Sequence, residues 1–155
     1  MNFELGRPQT ANSDFEWSVG DGADSRYASG SGARVYCGTF SLEIQSNPNN
    51  WNTQPNWHIC GQTGFGAAMD LRSKTFTMNM FFDGPTIPNA SCSFAVFDPT
   101  GSTLIGFETF LPTFGQWFQY SKFMGGTVAQ ASDIVFQCNF TNWPGNLFID
   151  DVTIN

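Results

Sequence analysis

The sequence is poor in the side chains that most enzymes use for chemistry. It contains a single histidine, His58, and neither a Gly-x-Ser-x-Gly nucleophile elbow nor a phosphate-cradling glycine loop. A glycosidase needs two carboxylates that converge on one cleft. Glu43 and Glu108 both fall in apolar runs without acidic neighbours. The sequence shows no set of side chains arranged for catalysis, which argues against an enzyme. We interpret His58 as a polar residue in a loop beside Trp57.

Positive charge is also scarce, and long apolar runs are absent. Lys and Arg total 6 against 13 Asp and Glu, which gives a formal net charge of -7. Nucleic acids and anionic membranes attract basic patches, so we expect neither as a partner. No segment approaches the roughly 20 apolar residues of a membrane helix. This balance leaves a neutral ligand such as a sugar chain, or a cation.

What the chain has in abundance is aromatic residues, at 16% of the sequence with 17 Phe. Disordered chains have few aromatics and many charges, so we expect a folded chain, with residues 1–155 forming one domain. No signal peptide is visible, because Asn2 and Phe3 follow Met1 directly. Two interpretations stay open: an expression start on a module from a larger secreted protein, or a cytosolic start. We expect a secreted or extracellular protein.

The four cysteines form no Cys-x-x-Cys pair, and their spacing does not indicate zinc. Two disulfides with three alternative connectivities are one interpretation. Four buried free thiols are the other, because Cys is a common small core residue. The sequence leaves this choice open for Cys37, Cys60, Cys92 and Cys138.

Short β-type runs separated by Gly, Pro, Asn and Asp dominate the chain, and helical periodicity is almost absent. The run Lys74–Phe82 alternates so that Phe76, Met78 and Met80 share one face. The spacing of the runs predicts an all-β fold, a two-sheet antiparallel β-sandwich (jelly roll) with about eight to ten strands. The other runs are Phe40–Ile44, Ser93–Phe97, Leu104–Phe110, Trp117–Phe123, Ile134–Phe140 and Leu147–Ile154.

Short motifs follow one another in a recognisable order from end to end of the chain. They are Asn2-Phe3-Glu4-Leu5-Gly6, Trp17, Cys37-Gly38-Thr39-Phe40-Ser41-Leu42-Glu43-Ile44, Trp51, Gly115-Gln116-Trp117 and Phe148-Ile149-Asp150-Asp151-Val152. This ordered set resembles carbohydrate-binding modules of families 4, 9 and 22. The resemblance implies a jelly roll with one concave, ligand-binding face. It also implies binding of glucans, xylans and related chains, usually as an appendage of a secreted glycoside hydrolase.

The resemblance further implies one structural calcium near the chain ends. Its expected ligands are Glu4 and the Asp150-Asp151 pair, with backbone carbonyls around Asn2 and residues 38–41 completing the shell. The chain departs from some relatives in one respect. The segment before the Ser-Leu strand reads Val-Tyr-Cys rather than their usual His-Ser, which affects the carbonyl donors.

The residues themselves also point to a metal. Asp150 and Asp151 interrupt the apolar run Leu147–Ile154. Strict alternation places them on opposite faces of the strand, so one carboxylate is expected to point inward or to a sheet rim. An unpaired buried carboxylate is costly, and a bound cation would offset that cost. The alternative is that both Asp lie exposed at an edge and discourage aggregation.

A sugar site pairs aromatic platforms with planar polar side chains, because a pyranose has apolar C–H faces and hydroxyl edges. Trp51, in the polar stretch Asn49–Gln54, is the first platform candidate and matches the stacking position of the family. Trp57 is the second candidate. Trp143, at a loop tip, either lines the groove or caps the sandwich.

The polar contacts are predicted on the strand Ile134–Phe140. Gln137 and Asn139 share the face opposite Phe136 and resemble ligand-binding positions of the family, although an ordinary solvated sheet face would show the same pattern. Asn79 and Phe81, on another strand, are expected to continue the floor of the groove. Arg26 resembles an early-strand arginine that binds sugar hydroxyls in some family members.

The expected function is therefore non-catalytic binding of a polysaccharide chain in a groove. Candidate ligands are β-1,4-glucan, xylan and mixed-linkage β-glucan, and we expect a monomer tethered to a glycoside hydrolase. One alternative is a domain of the same fold that binds protein or cell-surface glycan, as in an adhesin. Another is a small jelly-roll hydrolase or lyase.

Overall fold

The computed structural model describes residues 15–19, 24–28, 34–38, 41–45, 51–53, 55–59, 70–98, 104–126, 131, 133–140 and 143–155. Within these ranges the regular structure consists of strands. The strands are β1 (Phe15–Val19), β2 (Asp24–Ala28), β3 (Ser41–Gln45), β4 (Trp51–Thr53), β5 (Pro55–Ile59), β6 (Thr75–Asp83), β7 (Cys92–Phe97), β8 (Leu104–Phe110), β9 (Trp117–Phe123), β10 (Asp133–Phe140) and β11 (Asn146–Ile154). No helix able to cross a membrane occurs in the described ranges.

The strands form two antiparallel sheets. The first sheet has the order β1-β5-β10-β7-β8, and β4 also pairs with β10. The second sheet has the order β2-β3-β11-β6-β9. Most paired strands are not consecutive in the sequence, as in the pairing of β11 with both β3 and β6, whereas β2–β3 and β7–β8 are consecutive. The predicted all-β, two-sheet antiparallel sandwich is confirmed.

The hydrophobic core lies between the sheets and is built by alternation along the strands. Phe76, Met78 and Met80 on β6 are all fully buried, as their spacing predicts. On β10 the same holds for Phe136 and Cys138. Each large apolar side chain removed from water contributes roughly 1.5–3 kcal/mol, so the apolar layer between the two sheets is the main source of stability of the fold.

Trp143 belongs to this core. Its side chain is 1% exposed, and its Nε1 donates a hydrogen bond to the backbone carbonyl of Pro85 at 2.7 Å. The ring packs against Phe82, Phe114 and Phe140, with centroids 5.2–6.1 Å away. The sequence left open whether Trp143 lines a groove or caps the sandwich. A ring this buried has no face for a sugar, so its assignment as a sugar-binding residue is wrong.

A disulfide joins the middle of the first sheet. Cys92 on β7 and Cys138 on β10 are directly opposite in the register, with Cα atoms 4.1 Å apart, and their sulfurs are bonded. Cys37 is a free, exposed thiol, and Cys60 lies outside the described residues. Of the two interpretations of the cysteines, neither holds in full, because one bridge coexists with a free thiol.

Candidate functional site

The outer face of the first sheet is built around β10. Phe136 and Cys138 point into the core, so Val135 and Gln137 lie on the outer side. Directly opposite residues of antiparallel strands share a face. The register therefore carries this surface across β7, where Gln137 is opposite Ser93 and Val135 is opposite Ala95. It continues onto the edge strand β8 through Thr109 and Phe107, which are opposite Ser93 and Ala95. We call this surface the first-sheet face.

On the first-sheet face, an exposed aromatic ring on β8 lies beside small side chains on β7. Phe107 is 59% exposed, so its ring is open to solvent. On β7, the small Ala95 and Ser93 are opposite Phe107 and Thr109, and beyond them on β10 lie Val135 and Gln137. Gln137 lies on the far side, about two strand spacings or roughly 10 Å from β8. The arrangement offers an aromatic ring and a side-chain amide on either side of a shallow strip.

The register continues the first sheet from β10 onto β4, β5 and β1. Asn139, the second polar residue predicted on β10, is opposite Asn52 of β4. Val135 is opposite Asn56 of β5. In the backbone register, His58 is opposite Glu16 of β1 on one side and Asp133 of β10 on the other. His58 is thus a strand residue with acidic register neighbours, rather than the loop residue expected from the sequence.

Trp51 and Trp57 both lie in strands of the first sheet, where the polar flanks had suggested a loop around Trp51. Trp51 is opposite Phe140 and Trp57 is opposite Ile134, and both partners belong to the core. Their role in sugar binding stays a prediction, and the register weighs against it. Of the predicted pair on β10, Gln137 lies on the outer side, and the role of Asn139 stays a prediction.

Asn79 and Phe81 cannot continue the same floor, because β6 belongs to the second sheet. They lie on the outer side of that sheet, where Phe81 is 7% exposed and Asn79 is 1% exposed. The Arg34 guanidinium lies over the Phe81 ring at 4.8 Å, and Trp117 meets that ring edge-on at 5.7 Å. Their assignment to the groove floor is wrong: alternation identified their face, but not their sheet.

Arg26 also lies away from the first-sheet face. It belongs to β2, at the edge of the second sheet, and is opposite Glu43 of β3. Glu43 is buried, and its Oε1 accepts a hydrogen bond from Asn146 Nδ2 at 3.0 Å. The predicted contact of Arg26 with a sugar held on β10 does not fit this position.

The Asp150-Asp151 pair sits at a β-bulge on the outer side of the second sheet. The register of β11 on β6 shifts between Asp150 and Thr153, and Asp151 has a positive φ of 48°. Ile149 and Val152 are both fully buried in the core. Asn79 is opposite Asp150 and donates from Nδ2 to Asp151 Oδ2 at 3.5 Å. Both carboxylates therefore lie on one face, and the expectation of opposite faces is wrong.

Backbone amides solvate the buried carboxylate. Asp150 is 3% exposed, and its Oδ2 accepts hydrogen bonds from the N–H groups of Tyr36 at 3.0 Å and Cys37 at 3.1 Å. Its Oδ1 accepts from Asp151 N at 2.8 Å. Charge-assisted bonds of this kind offset the cost of burial. The burial of Asp150 alone therefore does not demand a metal.

The chemistry of this face is nevertheless compatible with calcium. The two adjacent carboxylates are hard oxygen donors of the type that calcium prefers. Within the described ranges no three His, Cys, Asp or Glu residues form a metal-binding group. Glu4 and Asn2, the other predicted ligands, lie outside the described residues. Asp150 and Asp151 carry oxygens of the kind that calcium binds, and a shell of six to eight oxygens would need further donors beside them.

Glu108 has a structural partner. It lies on the core side of β8, opposite Phe94, and forms an ion pair with Lys122 of β9. This pair bridges the two sheets at their β8–β9 edge. Burial, with Glu108 as a second cause, raises the pKa of the neighbouring Tyr120 above its usual range. The pairing with a lysine leaves Glu108 poorly suited to the two-carboxylate chemistry of a glycosidase.

Comparison with known proteins gives structural matches only. No protein-family model and no curated protein sequence matches the chain. One similar solved structure concerns the promiscuous specificity of carbohydrate-binding modules from the β-sandwich superfamily. Its TM-score is 0.65 at 12% identity, and the match covers 99% of this chain and 60% of the other.

Two further structures give the same fold. The C-terminal family 22 carbohydrate-binding module of Clostridium thermocellum Xyn10B has a TM-score of 0.56 at 18% identity, over 89% of this chain and 83% of that one. An exo-β-agarase has a TM-score of 0.67 at 10% identity, over 99% of this chain but only 24% of the agarase. The fold of this chain is thus the β-sandwich found in carbohydrate-binding modules.

Proposed function

We propose that this chain is a non-catalytic module that binds a polysaccharide on the first-sheet face. One observation carries the proposal: Phe107, 59% exposed, and Gln137 flank a floor of small side chains on one sheet surface. The likeness to solved carbohydrate-binding modules supports it. In this proposal Phe107, rather than Trp51, is the aromatic platform, and Gln137 and Asn139 are the polar contacts.

The chemistry of the first-sheet face suits a neutral sugar chain. The exposed ring can stack on the apolar face of a pyranose, and amides such as Gln137 can donate to and accept from vicinal hydroxyls. The net charge of -7 gives no attraction for polyanions. Contacts of this wet, neutral kind support a Kd on the order of 10–100 μM, about 6 kcal/mol. Neutral β-glucans and xylan are therefore the proposed ligands.

The proposed setting is extracellular, with the module as a monomer tethered to a glycoside hydrolase. The Cys92–Cys138 bridge supports an oxidising compartment. A tethered module of modest affinity raises the local concentration of substrate around its enzyme. Weak binding is sufficient for that role, because the linker makes the second encounter intramolecular.

Affinity gel electrophoresis with xylan, barley β-glucan or laminarin tests the proposal. We expect at least one polysaccharide to retard the wild type, and Phe107→Ala and Gln137→Ala each to weaken retardation about tenfold or more. Phe123→Ala is the matched control, since Phe123 is 60% exposed but lies on β9 of the second sheet. No retardation by any glycan would point to a protein-binding adhesin domain, and release of reducing sugar would point to a hydrolase.

We also propose a structural calcium bound by Glu4, Asp150 and Asp151, with backbone oxygens near Asn2. The two adjacent carboxylates on the bulge support it. A ligand that binds only the native state must stabilise it, by about 2.7 kcal/mol at a concentration of 100 Kd. We expect EDTA to lower the Tm and added calcium to restore it. A Tm that EDTA leaves unchanged would contradict the calcium.

A further inference from the structure

A second exposed aromatic side chain lies on the opposite sheet of the sandwich. Tyr36 is 50% exposed, and its ring meets that of Trp117 at a centroid distance of 5.5 Å and an interplanar angle of 62°. Trp117 in turn meets the ring of Phe81, which covers the sheet below. Tyr36 is therefore the most exposed of three aromatic side chains that meet one another edge-on.

The segment that carries Tyr36, residues 34–38, is held to the second sheet at several points. The N–H groups of Tyr36 and Cys37 both bond to the buried Asp150 carboxylate. Ser41 Oγ donates to the carbonyl of Arg34 at 2.6 Å. A ring held in place by its own backbone loses little conformational entropy when a ligand stacks on it. The exposure of Tyr36 is thus a property of a fixed platform.

Planar polar groups lie on the same outer side of the second sheet as Tyr36 and Trp117. Arg34 Nε donates to Asp83 Oδ2 at 3.2 Å, and the two side chains are 48% and 39% exposed. Arg34 lies over Phe81, next to the Trp117 ring. Gln119 is exposed and follows Trp117 by two residues on the same face of β9. Guanidinium, carboxylate and amide groups beside an aromatic ring are the contacts that vicinal sugar hydroxyls require.

The same composition argues against a protein partner at this spot. A protein interface has a desolvated apolar centre with a polar rim. Here the half-exposed Tyr36 is two residues along the chain from Arg34, whose guanidinium is paired with the carboxylate of Asp83. A single pyranose matches a platform of one ring better than a protein surface does.

We propose that Tyr36, with Arg34, Asp83 and Gln119, forms a second sugar-binding site on the outer side of the second sheet. The inference rests on the proposed function and deepens it, because the ligand class is the same neutral polysaccharide. The two sites lie on opposite sheets, so one molecule holds two chains at once. The module then cross-links polysaccharide, and the gain in avidity comes without any new contact at the first site.

The test uses the whole chain and the polysaccharide that retards it best. Turbidity measures cross-linking, and affinity gels measure total binding. The wild type is expected to raise the turbidity of the soluble polysaccharide. Tyr36→Ala and Phe107→Ala are each expected to abolish the turbidity but keep partial gel retardation, and the double variant is expected to lose both. Phe123→Ala serves as the control that behaves like the wild type.

Each contrary result has a distinct meaning. If Tyr36→Ala still cross-links, or if Phe107→Ala alone abolishes all retardation, the second site is overturned while the first-sheet site stands. If no polysaccharide retards the wild type, the proposed function itself fails, and the second site fails with it. The Tm of each variant is measured first, to check that it is folded. Tyr36→Ala is expected to fold, because alanine keeps the backbone N–H that bonds to Asp150.

Discussion

At the scale of single residues, the buried Trp143 depends on two glycines. A Cβ built on Gly84 would lie 2.7 Å from the indole ring and 2.8 Å from the Cα of Gly145. A Cβ on Gly145 would also collide with the same ring. The indole thus fills a slot in which neither glycine can gain a side chain without movement of the ring.

We therefore expect Gly84→Ala to destabilise the protein by about 1–3 kcal/mol, the usual cost of overpacking. The contact with the Gly145 backbone cannot be relieved by a rotamer change. Gly126→Ala is the control, because nothing lies within 4 Å of a Cβ at that position. Urea unfolding measures both variants. Equal stability for the two would contradict the slot.

Asp150 gives a second residue-scale prediction. Its carboxylate accepts three backbone N–H bonds at 3% exposure. Asp150→Asn replaces one acceptor oxygen by a donor that faces those N–H groups, so we expect a loss of about 3 kcal/mol. The measurement is chemical unfolding in EDTA, which keeps any metal contribution out of the comparison.

The neighbouring residue is a matched control for that substitution. Asp151 is exposed and has a positive φ of 48°, a conformation that Asn tolerates well. In EDTA, Asp151→Asn is expected to change the stability by less than about 0.5 kcal/mol. If Asp150→Asn were as mild as this control, the three N–H bonds would not hold the segment as described.

The sequence misplaced Trp51 and did not indicate Phe107, for reasons that the structure makes clear. The polar neighbours of Trp51 suggested a loop, whereas the chain forms β4 there. Phe107 was missed because the run from Leu104 has apolar residues at 104, 105, 107 and 110, which fit no single period. Only the pairing of Phe107 with Ala95 assigns it to the outer face.

At the scale of elements, alternation was a reliable guide until a bulge intervened. The inward residues of β6 and β10 follow directly from a period of two. No sequence pattern indicates the extra residue at Asp151. Because of this bulge, the Asp150 and Asp151 carboxylates lie on the same face of β11 instead of on opposite faces. The disulfide was not predictable either, because it depends on the register between β7 and β10.

This disulfide gives an element-scale prediction. It joins residues 46 apart in the sequence, and closing a loop of that size stabilises the fold by about 4 kcal/mol in the chain-entropy model. In urea unfolding, the double variant Cys92→Ala/Cys138→Ala is expected to have a free energy of unfolding lower by about that amount. Adding reductant to the double variant should not cause a second loss of this size. Peptide mapping of the wild type that found both thiols free would contradict the bridge.

At the scale of the whole molecule, the sequence predicted the architecture better than the site. Many short alternating runs are enough to indicate a two-sheet sandwich, since each run must bury one face. They do not say which strands share a sheet. That assignment separates Phe81 and Asn79 on β6 from Gln137 on β10, so the groove composed from the sequence combined residues of two opposite surfaces.

The central claim is that the first-sheet face binds polysaccharide, and an NMR titration of the labelled protein with a xylo- or cello-hexasaccharide tests it most directly. We predict the largest amide shifts at Ser93, Phe107 and Gln137, on β7, β8 and β10, with a Kd on the order of 10–100 μM. Smaller shifts at Tyr36 fit the second site. Shifts confined to other surfaces, with Phe107 and Gln137 unmoved at saturation, would contradict the account.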